Sequence, residues 1–565
     1  MLALSVLCTL FACCAAASVP IVQTSSGLVS GKRFLVNNKS IDAFYGIPYA
    51  EPPVGELRFQ RPRPARPWKG VLNATKKPVP CWQLDLRFLE NVSLHYDKTS
   101  EDCLYLNVWR PSLPECQNLH CRAKLPVIVF VYGGAFQWGD SSLLIYDMEK
   151  FVSKSDVIFV TLNYRIGVFG FLTTNTEEAP ANNGLWDQNL ALKWVKRNIA
   201  NFGGDHNDVT FAGQSAGGMS VSFHAISPHS RGLFNKMVMH SGTALSAILW
   251  RAQSSVAKMR NMAGVLGCYN ATRFANEQAA DTVACLKKLD AKVIMDAVRR
   301  QDPANQMFFP VLGDYFMPDD PEVAATWEAV NTQSVLLGTT QDEGTFFVDN
   351  LAYLSPQLAA VLKQDYRLAV MAFMATTYGI PFKEAKGMVA EYFGDYDVEH
   401  DDRSVFAIFS RVVADSLIDC PTQFLADLMS RRGIPTYKYV FAHRPSFTLW
   451  PEKFGVAHSD DITFFYGSNS LLADETKYTD AVDSQAREVL SSVVVTKEEQ
   501  NFTDELMKLL YKFAKTGKPS SPRLVNSWPL YAAPKYQSLI LRPNNFTTTS
   551  LPSRCDLWKP YMYHE

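Results

Sequence analysis

A serine hydroxyl becomes a useful nucleophile only when it is held in a fixed, accessible conformation with a base in reach of its proton. Gly213-Gln214-Ser215-Ala216-Gly217 offers such a serine. The pentapeptide alone says little, but its surroundings say more. Val209-Thr210-Phe211-Ala212 reads as a strand leading in, and Gly218 to Ile226 reads as a helix leading out. That is the strand–turn–helix in which a strained turn lifts the serine clear of the sheet. Small residues at Gly213 and Gly217 keep the turn from clashing with neighbouring backbone, and Ser215 then sits where a helix N-terminus favours developing negative charge.

The chemistry this suggests is acyl transfer, which also needs N–H donors for an oxyanion, a base and an acid that orients the base. Tyr132-Gly133-Gly134-Ala135-Phe136 directly follows the apolar run Leu125 to Val131, so the N–H groups of Gly134 and Ala135, with that of Ala216, are the candidate oxyanion hole. In this kind of site the acid and then the base follow the serine in the chain. Four histidines lie in the second half: His400, His443, His458 and His564. His443 ends a strand run and His564 lies in the tail, whereas His458 sits in a loop after the Tyr437 to Phe441 strand and is the candidate base. For the acid, Gln341-Asp342-Glu343-Gly344 follows a strand ending at Leu337, and chemistry alone leaves Asp342 and Glu343 both open.

The elements that must position these residues alternate between short β-branched runs and helical patterns. Leu125 to Val131, Asp156 to Leu162, Val209 to Ala212, Lys236 to His240, Ser334 to Gly338, Tyr437 to Phe441 and Ser538 to Leu541 read as strands, and Asp187 to Ile199 as a helix. Such alternation predicts an α/β fold with a large, mostly parallel central sheet flanked by helices. Leu351 to Asp415 reads as mainly helical and is expected as a cap insertion over the sheet. No repeat or linker divides the chain, so one domain over 19–565 is the expectation.

Met1 to Ser18 is uncharged, apolar and ends in small residues, which reads as a secretory leader over 1–18. Beyond it eight cysteines remain, Cys81, Cys103, Cys116, Cys121, Cys268, Cys285, Cys420 and Cys555, an even number that suits an oxidising compartment. No Cys-x-x-Cys or Cys–His finger spacing occurs, so no metal is expected. Six Asn-x-Ser/Thr triplets, at Asn38, Asn73, Asn91, Asn270, Asn501 and Asn545, are candidate glycosylation sites. The formal net charge of -1 across 565 residues gives no field for nucleic acid or an anionic membrane, and no later apolar run is long enough for a membrane anchor. A secreted protein acting on a small-molecule ester, without a cofactor, is the expectation.

Several further motifs stand in a fixed order around the serine: Tyr45-Gly46-Ile47-Pro48-Tyr49-Ala50, Leu57-Arg58-Phe59, Glu101-Asp102-Cys103-Leu104-Tyr105-Leu106-Asn107-Val108, and Asn163-Tyr164-Arg165 followed by Asp187-Gln188. Together with the serine turn they resemble the type-B carboxylesterase/cholinesterase family across nearly the whole mature chain. The resemblance implies an α/β-hydrolase fold and a Ser215–Glu343–His458 triad, with Glu343 preferred over Asp342 because the family's acid directly precedes the glycine. It implies a supporting hydrogen bond from Ser241 near the triad, and disulfides Cys81–Cys103, Cys268–Cys285 and Cys420–Cys555, leaving Cys116 and Cys121 to pair across a short loop. The chain departs from cholinesterases where they carry a choline-stacking Trp about ten residues before Cys103; Ser93 and Leu94 stand there. Gln214 also replaces a residue that is Glu in many members. The set Arg58-Phe59, Asp187-Gln188, Gly213 to Gly217, Glu343 and Gly455-x-x-His458-x-x-Asp461 is similar to that of arthropod juvenile hormone esterases, which would imply a long apolar methyl ester and an apolar pocket, with Phe308, Phe309, Phe346, Phe347 and Trp250 as candidate lining. The fold also occurs in noncatalytic adhesion proteins whose triads have lost a member, and here all three positions carry competent residues.

Overall fold

The computed structural model describes residues 19–562 other than 85, 90–91, 95–97, 117–120, 247–249, 273–277, 302–306, 331, 355–359, 362–364, 395–401, 449, 473–492, 522–523, 525–527 and 551–553. The expected leader, Asn91, His400, His564 and the side chain of Trp250 lie outside the described residues.

Eleven strands form one sheet. In chain order they are β1 (Lys32–Val36), β2 (Lys39–Pro48), β3 (Tyr105–Pro111), β4 (Leu125–Val131), β5 (Ile158–Leu162), β6 (Gly204–Gln214), β7 (Lys236–His240), β8 (Ser334–Thr340), β9 (Thr436–Phe441), β10 (Ser538–Arg542) and β11 (Asn545–Thr549). Their spatial order is β11-β10-β9-β8-β7-β6-β4-β5-β3-β2-β1. From β5 to β10 every neighbouring pair is parallel, and the antiparallel pairs lie at the two edges. Strands covered on both faces have no solvent side to alternate with, so they read as unbroken apolar runs. The strand β4, Leu-Pro-Val-Ile-Val-Phe-Val, is buried from Pro126 to Val131, and β7 is buried throughout.

The expected mostly parallel sheet is therefore present, and the differences lie at its ends. The strand β6 begins well before Val209. The edge strands β1, β2, β3 and β11 extend the sheet beyond the expected runs. In β2 the fully buried Asp42 receives hydrogen bonds from Arg33 of β1 and Arg110 of β3. A charge held inside by two guanidiniums breaks the apolar pattern by which a buried strand is recognised.

The motifs outside the serine turn brace this frame. Arg165 makes a two-pronged pair with Asp187, at 2.8 and 2.7 Å, with both side chains buried. Asp187 lies in the buried first half of α1 (Asn183–Asn198), so the pair ties the chain after β5 to that helix. Arg58 pairs in the same way with Glu101, at 2.6 and 2.7 Å, and donates onward to the carbonyls of Leu286 and Leu289. Asn107 of β3 accepts from the Gly46 N–H and donates to Ser141 and Thr161. Planar guanidinium–carboxylate forks of this kind set geometry as well as attraction.

After α2 (Ala216–Ile226), the cap comprises α3 (Gly344–Leu354), α4 (Tyr366–Tyr378), α5 (Phe382–Phe393) and α6 (Asp402–Ala414), in line with the helical reading of that region. A π-helical turn over Asp415–Asp419 joins α6 to α7 (Cys420–Arg431). Four disulfides pair Cys81 with Cys103, Cys116 with Cys121, Cys268 with Cys285, and Cys420 with Cys555. No described helix is long and apolar enough to cross a membrane. A cavity of about 1230 Å³ opens beside α7 and Lys438, and none of Ser215, Glu343 and His458 lines it.

Candidate active site

Ser215 stands between β6 and α2 with φ 56° and ψ −124°. A serine at positive φ is strained, and such strain is retained where the surroundings over-determine it. The Ser215 N–H donates to the His240 carbonyl at 2.8 Å. On the other side Gly217 lies against β4 so closely that a Cβ there would fall on the Val131 carbonyl oxygen. The turn is thus clamped between β7 and β4, which is why the motif tolerates nothing larger at Gly217.

Glu343 follows β8 and is wholly buried. Its Oε1 accepts the Thr340 N–H at 2.7 Å, and its Oε2 accepts from His458 Nδ1 at 2.5 Å. Asp342 points the other way and accepts the Val456 N–H at 2.9 Å. Of the two acids that chemistry left open, the structure brings Glu343 to the histidine and uses Asp342 to fasten the histidine's loop. That loop, between β9 and His458, is further held by Arg444, which donates to the carbonyls of Gly455 and Trp450, and by Thr345, which donates to that of Phe454. Asp460 accepts the Ala457 N–H, and burial pushes its carboxyl well above the usual carboxylate range.

With Nδ1–H donated to Glu343, the lone pair of a neutral His458 lies on Nε2, the atom a serine proton must reach. Phe346 stacks on the imidazole with ring centres 5.7 Å apart, Phe347 lies at 4.8 Å, and Trp450 packs on Phe346 at 5.5 Å. Two of the expected lining residues therefore wall the histidine. Phe308 and Phe309 are buried, and Gln137 clamps the first of them, donating to the Phe308 carbonyl and accepting its N–H.

In the candidate oxyanion loop Gly134, Ala135 and Phe136 all have positive φ, at 113°, 50° and 60°. The N–H groups of Gly134, Ala135 and Ala216 have no hydrogen-bond acceptor among the described residues, as expected of donors kept for a ligand. Ser241, fully buried at φ 54°, donates its N–H to the Gly338 carbonyl, but its hydroxyl has no partner among the described residues. The supporting hydrogen bond expected of Ser241 is thus not formed here.

Sequence reasoning did not find the buried network beneath the turn. His240 Nδ1 lies 2.6 Å from the Tyr439 hydroxyl and Nε2 lies 3.0 Å from that of Tyr466, while Tyr439 donates to Asp461 at 2.6 Å. All four side chains are buried completely, and burial drives both phenols well above their usual range. The only sequence signal was the place of His240 beside Ser241 and of Asp461 beside His458.

The strained Ser215, the buried Glu343–His458 pair and the three unengaged N–H groups thus all follow the C-terminal ends of strands of one parallel sheet, the edge at which open α/β sheets bind their ligands, while no hydrogen bond joins Ser215 to His458, whose Nε2 lies 3.0 Å from Gln214 Nε2. Residues 18–558 match the carboxylesterase family. The chain belongs to the carboxylesterase family. Its fold is the family's α/β-hydrolase fold, and it is a hydrolase of the carboxylesterase/cholinesterase type. Among curated proteins it is similar to acetylcholinesterase-1 of Trittame loki, 32% identical over 96% of this chain and 94% of that one. It is 29% identical to the acetylcholinesterase of Leptinotarsa decemlineata and 32% identical to that of Bungarus fasciatus, each over 96% of this chain and 86% of the relative.

Proposed function

We propose that the protein is a serine carboxylic-ester hydrolase working through Ser215, Glu343 and His458 by way of an acyl-enzyme. The contact between Glu343 Oε2 and His458 Nδ1, 2.5 Å long and shielded from water, carries this reading. His458 Nε2 takes the Ser215 proton as Oγ attacks the ester carbonyl, and Glu343 stabilises the imidazolium that results. The oxyanion is received by the N–H groups of Gly134, Ala135 and Ala216. The imidazolium returns its proton to the leaving alcohol, and water, activated by the same base, cleaves the acyl-enzyme.

The substrate proposed is a neutral ester with an apolar acyl or alcohol group, because the rings around His458 are Phe346, Phe347 and, behind them, Trp450. Choline esters are the second reading, favoured by the acetylcholinesterase relatives and opposed by Ser93 and Leu94 where cholinesterases carry Trp. A long apolar methyl ester of the juvenile hormone kind is the narrower form of the first. Secretion is proposed with it, supported by the four disulfides and by exposed sequon asparagines at Asn38, Asn73, Asn270, Asn501 and Asn545, which are proposed to carry glycans.

The test is hydrolysis of a short p-nitrophenyl ester, a long-chain apolar methyl ester and acetylcholine by wild type and Ser215→Ala. Loss of about three or more orders of magnitude in the variant is expected. Wild type no faster than the variant on all three would leave a binding protein as the reading, and preference for acetylcholine would select the second.

A further inference from the structure

Two buried carboxamides hold the backbone at 308–311 where a partner strand would otherwise do so. Asn182, just before α1, donates to the Val311 carbonyl at 2.8 Å and accepts the Val311 N–H at 2.9 Å. Gln137 makes the same pair of bonds to Phe308, at 2.5 and 3.3 Å, and Lys258 Nζ donates to the Met307 carbonyl beside it at 3.2 Å. Gln137 differs from Asn182 in lying within the oxyanion loop, where the second hydrogen of its Nε2 goes to the Ala135 carbonyl at 3.3 Å. Its partners are two carbonyls and one N–H, so exchanging the ends of the carboxamide would break every bond, and the orientation is fixed.

The main chain of Gln137 acts on the same loop. Its N–H and that of Trp138 donate to the Gly134 carbonyl, at 2.8 and 3.0 Å. A trans peptide carries its C=O and N–H in opposite directions, so a Gly134 carbonyl held by these donors aims the Ala135 N–H the other way. Gln137 thus holds the peptide plane before Ala135 through its N–H, and the plane after it through Nε2. Both planes need holding. Ala135 and Phe136 have φ of 50° and 60°, a left-handed conformation that costs about 1–2 kcal/mol at each non-glycine residue. Turning over the peptide between them would relieve the strain at Phe136, and the bond from Nε2 to the Ala135 carbonyl opposes that turn. The loop also runs close to the nucleophile, since a Cβ at Gly133 would lie 2.8 Å from Ser215 Cβ.

We propose that Gln137 is a positioning residue for the oxyanion hole, passing the fixed geometry of the Phe308 backbone to the N–H of Ala135. The inference rests on the catalytic reading above. A donor held in place before the reaction meets the developing charge without reorienting, which is where such a hole gains its strength. Gln137 acts through Ala135, so its effect falls on the transition state and not on the bound ester.

The experiment measures p-nitrophenyl ester hydrolysis, and inhibition by an alkyl trifluoromethyl ketone, in full-length wild type, Gln137→Met, Gln137→Glu, Asn182→Gly and Ser215→Ala, each checked by thermal melting. Ser215 Oγ adds to the ketone to give a hemiketal whose oxygen stands where the oxyanion would. In Gln137→Met kcat falls roughly ten- to a hundredfold with KM little changed, short of the roughly 10²–10³-fold known for outright removal of a donor, and the Ki of the ketone rises by the same factor. Gln137→Glu behaves alike, because a carboxyl, charged or protonated, has at most one proton for the Ala135 and Phe308 carbonyls. A purely structural role would lower Tm without moving the Ki of the enzyme that remains folded. Asn182→Gly supplies that comparison. It releases Val311, suits the φ of 59°, lowers Tm, and leaves kcat and Ki within about threefold of wild type. Folded Gln137 variants with wild-type kcat and Ki, or an equal loss in Asn182→Gly, overturn the proposal. Should Gln137→Met fail to fold, Gln137→Glu decides; if neither folds, the residue serves the fold and the positioning role falls. Activity retained in Ser215→Ala removes the catalytic reading itself, whereas an inactive Ser215→Ala beside unaffected Gln137 variants removes only this role.

Discussion

Replacing Glu343 by Gln exchanges one carboxylate oxygen for an NH2 group and leaves the volume almost untouched, so its consequence can be worked out bond by bond. In the native site both carboxylate oxygens accept, one from the Thr340 N–H at 2.7 Å and one from His458 Nδ1 at 2.5 Å. A carboxamide has one accepting oxygen. If that oxygen stays with Thr340, the NH2 group faces Nδ1, which must then be unprotonated, and His458 carries its proton on Nε2, where it cannot take another from Ser215. If the oxygen turns to His458, the NH2 group meets the Thr340 N–H in a fully buried place, and a donor left without an acceptor costs about 1–3 kcal/mol. Thr340 belongs to β8 and cannot move aside, so the wrong tautomer is the lower-energy outcome. The expected loss in kcat is roughly 10⁴-fold, the scale known for the matching change in a Ser-His-Asp triad, equivalent to about 5.4 kcal/mol of activation free energy. Release of p-nitrophenol at saturating ester measures it. Asp342→Asn is the partner experiment: an amide oxygen can still accept the Val456 N–H, so kcat is expected to stay within about threefold of wild type. The reasoning is refuted if Glu343→Gln keeps a tenth or more of the activity while Asp342→Asn loses it.

Two further outcomes concern stability. Cys420 and Cys555 close a loop of 135 residues and Cys116 and Cys121 one of 5, so loop-closure entropy predicts losses of about 5 and about 2 kcal/mol when each pair is replaced by Ser. Urea midpoints of the two double variants, without reductant, should fall in that order, and the reverse order would argue against an entropic origin. Burial opposes the charged form of Glu499, yet hydrogen bonds from His443, Ser446 and the Thr496 N–H outweigh it and bring its carboxyl down to about 2. A carboxyl depressed by folding contributes stability above its unfolded pKa and loses it as pH falls towards the folded value. Glu499→Gln is therefore expected to lower Tm at pH 7, by an amount corresponding to about 2 kcal/mol, with the gap to wild type closing between about pH 4.5 and 2. A gap independent of pH would mean that Glu499 acts only as a helix cap for Lys497–Thr516.

Much of the frame could be read from local pattern. The strands β4, β6, β7, β8, β9 and β10 are short apolar or β-branched runs because a doubly covered parallel strand has no polar side, and each was legible for that reason. The serine turn was legible because three requirements coincide within a few residues: a strand, small residues at a close approach, and a helix start. The edge strands β1 and β2 were not, since Asp42 with Arg33 and Arg110 puts charge where the pattern calls for apolar residues. Gln137 and Gln214 carried no signal beyond their place next to functional loops, because a glutamine's role depends on what lies across from it.

The amino-acid sequence by itself determined the α/β frame and the strand–turn–helix that presents Ser215, both of which follow from spacing within one or two elements. The chemistry of the residues left Asp342 and Glu343 both open and the family resemblance pointed to Glu343; the tertiary structure supplies the contact with His458, because the two acids leave a tight turn in opposite directions and the partner of each comes from a loop more than a hundred residues away. It also decided that Gln214 meets His458 across a sequence separation of 244, and that the Ser241 hydroxyl meets nothing among the described residues. Contacts between distant segments depend on how the sheet orders its strands and where the loops are fastened, and neither is encoded in the residues that make the contact.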